Sequence, residues 1–178
     1  MSSVLAFSNV IYKTQAKPIS DSSHVEELVL QLRALQQNVR LPLVSAKHIG
    51  IDVQLFIVDL NYLQKEKEDF LGVFINPQII SEKAPLVSQL EEDLSLPKLS
   101  VSIERPKEIE ISFLDEEFKE QTAVFSDLAA RWILHGIDQL NGIYIVDRIN
   151  KHRQRSVKGH LKNITEGKIE VNYQLEYE

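Results

Sequence analysis

One segment, from Ser126 to Gly142, sets the strongest limit on how this chain can fold. Serine is favoured at the start of a helix, and glycine just past its end readily takes the positive φ that closes it. The two residues therefore predict a helix from about residue 126 to Asn141. Its apolar positions include Leu128, Trp132 and Leu140. Because an apolar helix face must be covered by other elements, we expect this helix at the centre of the fold.

A second helix is predicted near the start of the chain, after an irregular arm over residues 1–20. Ser23 and Glu26 have the spacing of a capping box, which satisfies backbone N–H groups at a helix start. Apolar residues then recur with helical spacing as far as Gln37 or Asn38. They are Val25, Leu28, Leu32 and Leu35.

The segments between the two helices have the patterns of β-strands. One strand follows Asp52, and another spans 73–80 with an interruption at Pro77. The polar segment 64–69 between them predicts a solvated turn.

Clear alternation of apolar and polar residues predicts three more strands. Two cover 101–103 and 109–113, with Arg105 and Pro106 separating them, and the last covers 169–177. Strands gathered around a central helix indicate an α+β fold, and we expect one domain over residues 1–178.

Composition narrows the function classes. The chain has 178 residues, a net charge of -6 and no cysteine. The acidic balance argues against a DNA-binding protein, and the missing cysteines exclude disulfides, thiolate metal sites and a cysteine nucleophile. No apolar run approaches the ~18 residues that a membrane-spanning helix needs. We therefore expect a cytoplasmic protein with no membrane partner.

The central helix carries the first chemical signal. Residues four apart lie on one helix face, which is how HExxH enzymes hold a metal with two histidines beside a glutamate base. The sequence from residue 135 reads HGIDQLNG, so His135 occupies the first histidine position. The glutamate position is Gly136 and the second histidine position is Gln139. A lone histidine on an apolar helix is usually a buried core residue.

Two upstream motifs change that interpretation. Residues 44–50 read VSAKHIG and residues 91–97 read EEDLSLP. With the helix motif, their order and spacing resemble the three signatures of the peptide deformylases, GxGLAAPQ-[VI]-G, EGCLS-[VI]-P and QHExDHLxG. Supporting matches are KTQAKPI at residues 13–19, Arg105-Pro106, and Asp147-Arg148.

The resemblance implies a peptide deformylase-like fold, with antiparallel sheets around the central helix and a C-terminal helix and strand. It also implies an enzyme that removes the formyl group from the initiator methionine of nascent chains. Members bind Fe(II) or another divalent metal through one cysteine and two histidines. A glutamate is the general base, and a glutamine with a backbone N–H polarises the formyl oxygen.

This chain departs from the family at nearly every catalytic position. The cysteine ligand position is Asp93, the second histidine is Gln139, the base is Gly136 and the glutamine is His48. The backbone N–H position falls at Leu94. Bulky or charged residues also replace three motif glycines, namely Leu41, Leu43 and Glu92.

These replacements predict a catalytically inactive homologue with no cofactor. A glutamine carbonyl is a poor ligand for Fe(II) or Zn, and losing a general base typically costs about 10²- to 10⁴-fold in rate. Gly136 in mid-helix also costs about 1 kcal/mol relative to alanine, with no benefit visible in the sequence. Asp138 is expected at the helix surface or beside Arg131, and Trp132 in the core.

An alternative stays open. If the family geometry holds, His48, Asp93 and His135 surround one centre, and two histidines with a carboxylate can form a facial triad for Fe, Zn or Ni. Glu92 could then act as the base of a rewired hydrolase. The simpler reading is that His48 and Asp93 pair directly in a vacant pocket.

The most basic stretch, residues 151–163, indicates a different role. Its cations are Lys151, Arg153, Arg155, Lys158 and Lys162, and it contains no acid. In position it resembles the family's C-terminal helix, and this resemblance implies docking to the ribosome near a nascent peptide. A segment with five cations and no acid also suits contacts with RNA phosphates. A solvated basic helix is the simpler interpretation.

Overall fold

The computed structural model describes residues 3–7, 9–63 and 70–177. The predicted turn at 64–69 lies outside the described residues. Within them, the helices are α1 (Val25–Val39), α2 (Asp127–Leu140) and α3 (Lys151–Thr165). The strands are β1 (Val4–Leu5), β2 (Leu43–Ser45), β3 (Leu55–Asp59), β4 (Leu71–Glu92), β5 (Ser100–Leu114), β6 (Glu120–Ser126) and β7 (Leu175–Glu176). This arrangement confirms the predicted α+β class.

The main sheet has five antiparallel strands in the order β2-β3-β4-β5-β6. Its strand β3 is buried on both faces, which explains the continuous apolar run of its sequence. Phe56 and Val58 pack toward α2, whereas Leu55 and Ile57 pack in the core that contains α1. The sheet therefore lies between the two helices, and the site residues of α2 face a rigid strand.

Strand β5 corrects one prediction. Arg105 and Pro106 do not separate two strands, because β5 runs without a break from Ser100 to Leu114. Pro106 lies opposite Leu86 at a register shift in the β4–β5 ladder. A proline lacks a backbone N–H, so an irregular position in a sheet accommodates it. Strand β4 likewise continues past Pro77, which lies in another register shift.

Helix α1 forms as predicted, but its capping box does not. The N-cap is His24, one residue later than Ser23, and its side chain makes no capping hydrogen bond. The hydroxyl of Ser23 instead donates to the carboxylate of Asp21. The turn before the helix therefore uses the serine, and packing of the apolar face stabilises α1.

The predicted C-terminal strand is mostly wrong. Only Leu175–Glu176 is a strand, and it pairs in parallel with β1. Upstream of it, the hydroxyl of Tyr173 donates to the backbone carbonyl of Leu94 at 2.9 Å. The alternating apolar residues anchor this tail to separate parts of the core rather than to one sheet edge, since Ile169 packs in a different cluster from Tyr173. None of the helices described in residues 3–7, 9–63 and 70–177 is long and apolar enough to cross a membrane.

Helix α2 confirms the strongest prediction from the sequence. Every residue from Ala129 to Leu140 is buried, and Gly142 has the expected positive φ of 72°. The structure also shows why Gly136 is needed. A Cβ atom at this position would lie 2.7 Å from ring carbons of Phe56, which is fully buried and stacked on Phe74. The glycine therefore makes room for an aromatic ring, contrary to the expectation that it has no structural benefit.

A matched pair of substitutions tests this packing. Gly136→Ala should destabilise the protein by about 1–3 kcal/mol, because an overpacked core must shift. Gly159→Ala, in α3 with no atom within 4 Å of the new Cβ, should instead stabilise it by up to about 1 kcal/mol. Urea unfolding monitored by circular dichroism measures both changes. A stabilising Gly136→Ala would contradict the proposed contact.

Candidate functional site

Three elements bring four polar side chains together inside the protein. His48 comes from the short 3-10 helix Ala46–Ile49, and Asp93 directly follows β4. His135 and Gln139 lie one turn apart on α2. All four are at most 4% exposed. The structure therefore brings together the three residues at the metal-ligand positions of the family motifs, Asp93, His135 and Gln139. His48, at the family's glutamine position, lies beside them.

Asp93 is the common acceptor of this cluster. Its Oδ1 accepts hydrogen bonds from the backbone N–H and the hydroxyl of Ser95, at 2.8 and 2.6 Å. Its Oδ2 accepts from Gln139 Nε2 at 2.7 Å and lies 3.1 Å from His135 Nε2. Burial alone would raise the pKa of Asp93, but the hydrogen bond from His135 and the nearby ring of His48 outweigh it and hold the pKa well below its usual range.

The amide nitrogen of Gln139 occupies the point where the other donor atoms converge. Besides its 2.7 Å bond to Asp93, Nε2 lies 3.4 Å from Nε2 of His48 and 3.4 Å from Nε2 of His135. An amide nitrogen only donates hydrogen bonds, whereas a metal ligand must offer a lone pair. Gln139 therefore fills the centre of the cluster with an NH₂ group.

His48 is oriented by the backbone of its own turn. The backbone N–H of Ser45 donates to His48 Nδ1 at 3.0 Å, so this nitrogen must present its lone pair. In a neutral imidazole the hydrogen then lies on Nε2, the atom 3.6 Å from Asp93 Oδ1. A protonated Nε2 cannot also ligate a metal. The simpler reading of the sequence, direct approach of His48 to Asp93, agrees with this geometry.

Beneath the cluster lies a second carboxylate, Glu91, which is fully buried. It accepts two hydrogen bonds from Arg105, at 2.6 and 2.8 Å, and one from Arg131 at 2.6 Å. Its Oε2 also lies 3.3 Å from Nδ1 of His135. Burial would raise the pKa of Glu91, but the hydrogen bond from Arg105 and the charges of His135, Arg105 and Arg131 lower it. Glu91 therefore lies beside the histidine on the side opposite Asp93, but His135 Nδ1 neither accepts nor donates a hydrogen bond there.

Asp138 extends this network, contrary to the expectation that it lies at the helix surface or beside Arg131. It is 5% exposed and accepts hydrogen bonds from Arg105 at 2.8 Å and from Arg148 at 2.9 Å. Because α2 is buried on all sides, a carboxylate on this helix has to find cations from other elements. Trp132 is buried as predicted and stacks on His135, with ring centroids 5.4 Å apart.

As arranged, these donors do not fit a divalent metal. The lone pair of His48 Nδ1 is taken by Ser45, and an amide group lies between the remaining donors. Among residues 3–7, 9–63 and 70–177, no three His, Cys, Asp or Glu side chains form a metal-binding group. The base position is also closed, since the space beside Gly136 is filled by the ring of Phe56.

A cavity of about 530 Å³ opens beside Asp93. Its walls come from the end of α1 with Leu41, from the loop Glu92–Lys98 and from the tail Glu170–Tyr173. Leu41 lines this cavity, whereas Leu43 packs in the core below α2. The tail is the wall that sequence reasoning missed, because the alternation of its apolar residues predicted a strand instead. Glu92, named as a substitute base, is exposed at the cavity rim.

The predicted basic segment forms α3. Lys151, Arg155, Lys158 and Lys162 recur at spacings of four, three and four residues, so they share one solvent-facing side, and Arg153 lies elsewhere on the helix. The other side of α3 packs on the protein through Val157, Leu161 and Ile164. These cations lie on α3, whereas the buried cluster is formed by α2, the 3-10 helix Ala46–Ile49 and the residue after β4.

Comparisons with known proteins agree on one family. Residues 1–155 match the family described as polypeptide deformylase. The peptide deformylase of Christiangramia forsetii is 31% identical over 185 aligned residues, covering 98% of this chain and 94% of that protein. The one from Chlorobaculum tepidum is 33% identical, with coverages of 95% and 90%.

Solved structures show the same fold. The peptide deformylase of Plasmodium falciparum superposes with a TM-score of 0.84 at 19% identity, covering 92% of this chain and 95% of that one. The enzyme from Synechococcus elongatus gives a TM-score of 0.78 at 26% identity, with coverages of 93% and 86%.

The buried carboxylates predict a specific acid sensitivity. A carboxyl group with a lowered folded-state pKa stabilises the protein above its unfolded pKa, 3.8 for aspartate and 4.5 for glutamate here, and this stability is lost as the pH falls further. The free energy of unfolding in urea should therefore decrease from about pH 5 to about pH 3.

Variants assign this effect to Asp93. Asp93→Asn should lower the free energy of unfolding at pH 7. It should also make the decrease between about pH 5 and about pH 3 smaller, because the variant has no carboxyl group at residue 93 to protonate. Glu120→Gln, at an exposed position of β6, should leave the pH profile unchanged. A profile of Asp93→Asn as steep as that of the unchanged protein would contradict the assignment.

Proposed function

This chain belongs to the polypeptide deformylase family, and from that membership we propose that it is a homologue without deformylase activity whose fold serves in peptide or ribosome binding. The observation that carries the proposal is the position of Gln139. Its amide group donates to Asp93 at the point on which His48 and His135 also converge. A hydrogen-bonded cluster then replaces the metal site, and the proposal needs no cofactor.

The chemistry of deformylation supports this interpretation. The reaction needs a nucleophilic water, a base to deprotonate it and donors to the oxyanion. Here the base position is Gly136, with Phe56 against it. The glutamine position is His48, whose ring is bound to Ser45 and directed at Asp93. The ionised carboxylate of Asp93 would also disfavour an oxyanion beside it.

The alternative, a rewired hydrolase, stays a prediction, because the hydrogen bonds of the cluster do not favour a bound metal. Its three residues, His48, Asp93 and His135, are adjacent as the alternative requires. Binding of Fe, Zn or Ni would, however, require His48 to give up the hydrogen bond from Ser45 and Gln139 to leave Asp93. Those two changes expose buried polar groups, each at a cost of about 1–3 kcal/mol.

Elemental analysis combined with an activity assay tests the proposal. Protein purified anaerobically without a histidine tag should contain much less than one equivalent of metal. It should release no formate from formyl-Met-Ala-Ser with Fe(II), Ni(II), Co(II) or Zn(II), because neither the base nor an open ligand set is present. The deformylase of Chlorobaculum tepidum serves as the positive control. A full equivalent of metal and turnover, both lost in His48→Ala or Asp93→Ala, would contradict the proposal and favour the rewired hydrolase.

Ribosome binding is the second part of the proposal, and the shared face of α3 supports it. Association through Lys and Arg releases counterions, so it should weaken as salt is added. The double substitution Arg155→Glu with Lys158→Glu should reduce co-sedimentation with ribosomes and lower the slope of log K against log salt by about 2. The matched control is Lys13→Glu with Lys119→Glu, two exposed lysines outside α3. Equal co-sedimentation of both variants at all salt concentrations would exclude docking through α3.

A further inference from the structure

The cavity beside Asp93 has a lining that differs in polarity from floor to rim. Its apolar wall is formed by Val39, Leu41, Leu96, Pro97, Val171 and Tyr173. Its volume of about 530 Å³ lies within the range of sites that hold small ligands or the end of a peptide. An apolar side chain of a ligand would therefore be buried here.

The charged residues of the cavity are mostly acidic. Glu92, Asp93 and Glu170 contribute three carboxylates, and Lys98 contributes one ammonium group. Within residues 3–7, 9–63 and 70–177, none of Glu92, Glu170 and Lys98 forms an ion pair. An apolar cleft with an excess of negative charge concentrates the electrostatic field of that charge and attracts cations.

The carboxylates differ in what they can do for a ligand. Both oxygens of Asp93 already accept hydrogen bonds, from Ser95 and from Gln139, so this residue contributes its charge rather than a contact. Glu92 and Glu170 are exposed at the rim and can accept hydrogen bonds from a ligand directly. They approach the cavity from two sides, the end of β4 and the tail.

The tail holds its side of the cavity in place. Tyr173 donates to the carbonyl of Leu94, and β7 pairs with β1 directly after it. This wall lies beyond residues 1–155, the part of the chain that matches the family. Glu170 places a carboxylate on this wall.

From this arrangement we propose that the cavity binds a peptide with a free, positively charged amino terminus and an apolar first side chain. The inference rests on the proposed function and specifies the ligand of the same site. The apolar wall takes the side chain, and Glu92 with Glu170 takes the ammonium group. A formylated amino terminus fits poorly, because formylation removes the charge and directs a carbonyl oxygen toward carboxylates.

A pair of peptides that differ only in the formyl group tests the proposal. Isothermal titration calorimetry at pH 7 and low salt should show Met-Ala-Ser binding at least about tenfold more tightly than formyl-Met-Ala-Ser. The preference should disappear at about pH 9.5, since an α-amino group has a pKa near 7.7–8.0 and is neutral there.

Substitutions at the rim identify the groups responsible. Glu92→Gln and Glu170→Gln should each weaken binding of Met-Ala-Ser about three- to fivefold, the effect of a partly exposed ion pair. Neither should change binding of the formylated peptide. Glu120→Gln, on β6 and outside this cavity, is the control with the same charge change and should have no effect.

Each other result has a defined meaning. Equal or tighter binding of formyl-Met-Ala-Ser overturns the inference, and so does the absence of binding by both peptides at millimolar concentration. Retention of full affinity in the Glu92→Gln and Glu170→Gln variants overturns it as well. Formate released during the titration would instead contradict the proposed lack of activity, so failures of the two proposals are distinguishable.

Discussion

A carboxylate buried in the centre of the protein is the constraint on which the rest of the structure depends. Asp93 is 4% exposed and ionised, and an ionised group in the interior is tolerated only when its oxygens are fully hydrogen-bonded. Ser95, Gln139 and His135 surround it from two separate elements. The loop after β4 and helix α2 are thereby held in one relative position, which also shapes the cavity beside them.

The departures from the family motifs form a consistent set rather than independent losses. An aspartate at the cysteine position needs donors, and the amide of Gln139 supplies one where an imidazole would offer a lone pair. Where the family has a glutamate, this chain has Gly136, and the ring of Phe56 fills the space that a side chain would take. Gln139 and Asp93 suit each other as donor and acceptor, and Gly136 suits the ring of Phe56, so a larger side chain at residue 136 alone would produce a clash.

Much of this arrangement could be predicted from the sequence. The helix α2 followed from its termini and apolar content, and the resemblance to the deformylase motifs implied one site for His48, Asp93, His135 and Gln139. Contacts between distant segments could not be predicted, because single-residue patterns carry no information about them. Examples are the ring of Phe56 against Gly136 and the pairing of Asp138 with Arg105.

Two errors about strands have a similar origin. A proline within a strand normally indicates an end, but Pro106 lies at a register shift that the partner strand provides. Alternation in the tail suggested a strand, yet Tyr173 is held by a side-chain hydrogen bond to Leu94, and Ile169 packs in a different cluster from Tyr173. Local periodicity reports burial of alternate residues, whereas strand pairing also requires a free neighbouring edge.

The position of the hydrogen on the His48 ring shows whether a hydrogen-bonded cluster has replaced the metal site. Two-bond ¹H–¹⁵N correlation spectra of histidine side chains distinguish a ring nitrogen that carries hydrogen from one that offers a lone pair. We expect hydrogen on Nε2 of His48, a lone pair on Nδ1, and no change when one equivalent of Zn(II) is added. A lone pair on Nε2, with shifts of His48 and His135 on addition of Zn(II), would show instead that a metal displaces Gln139 and binds in the cluster.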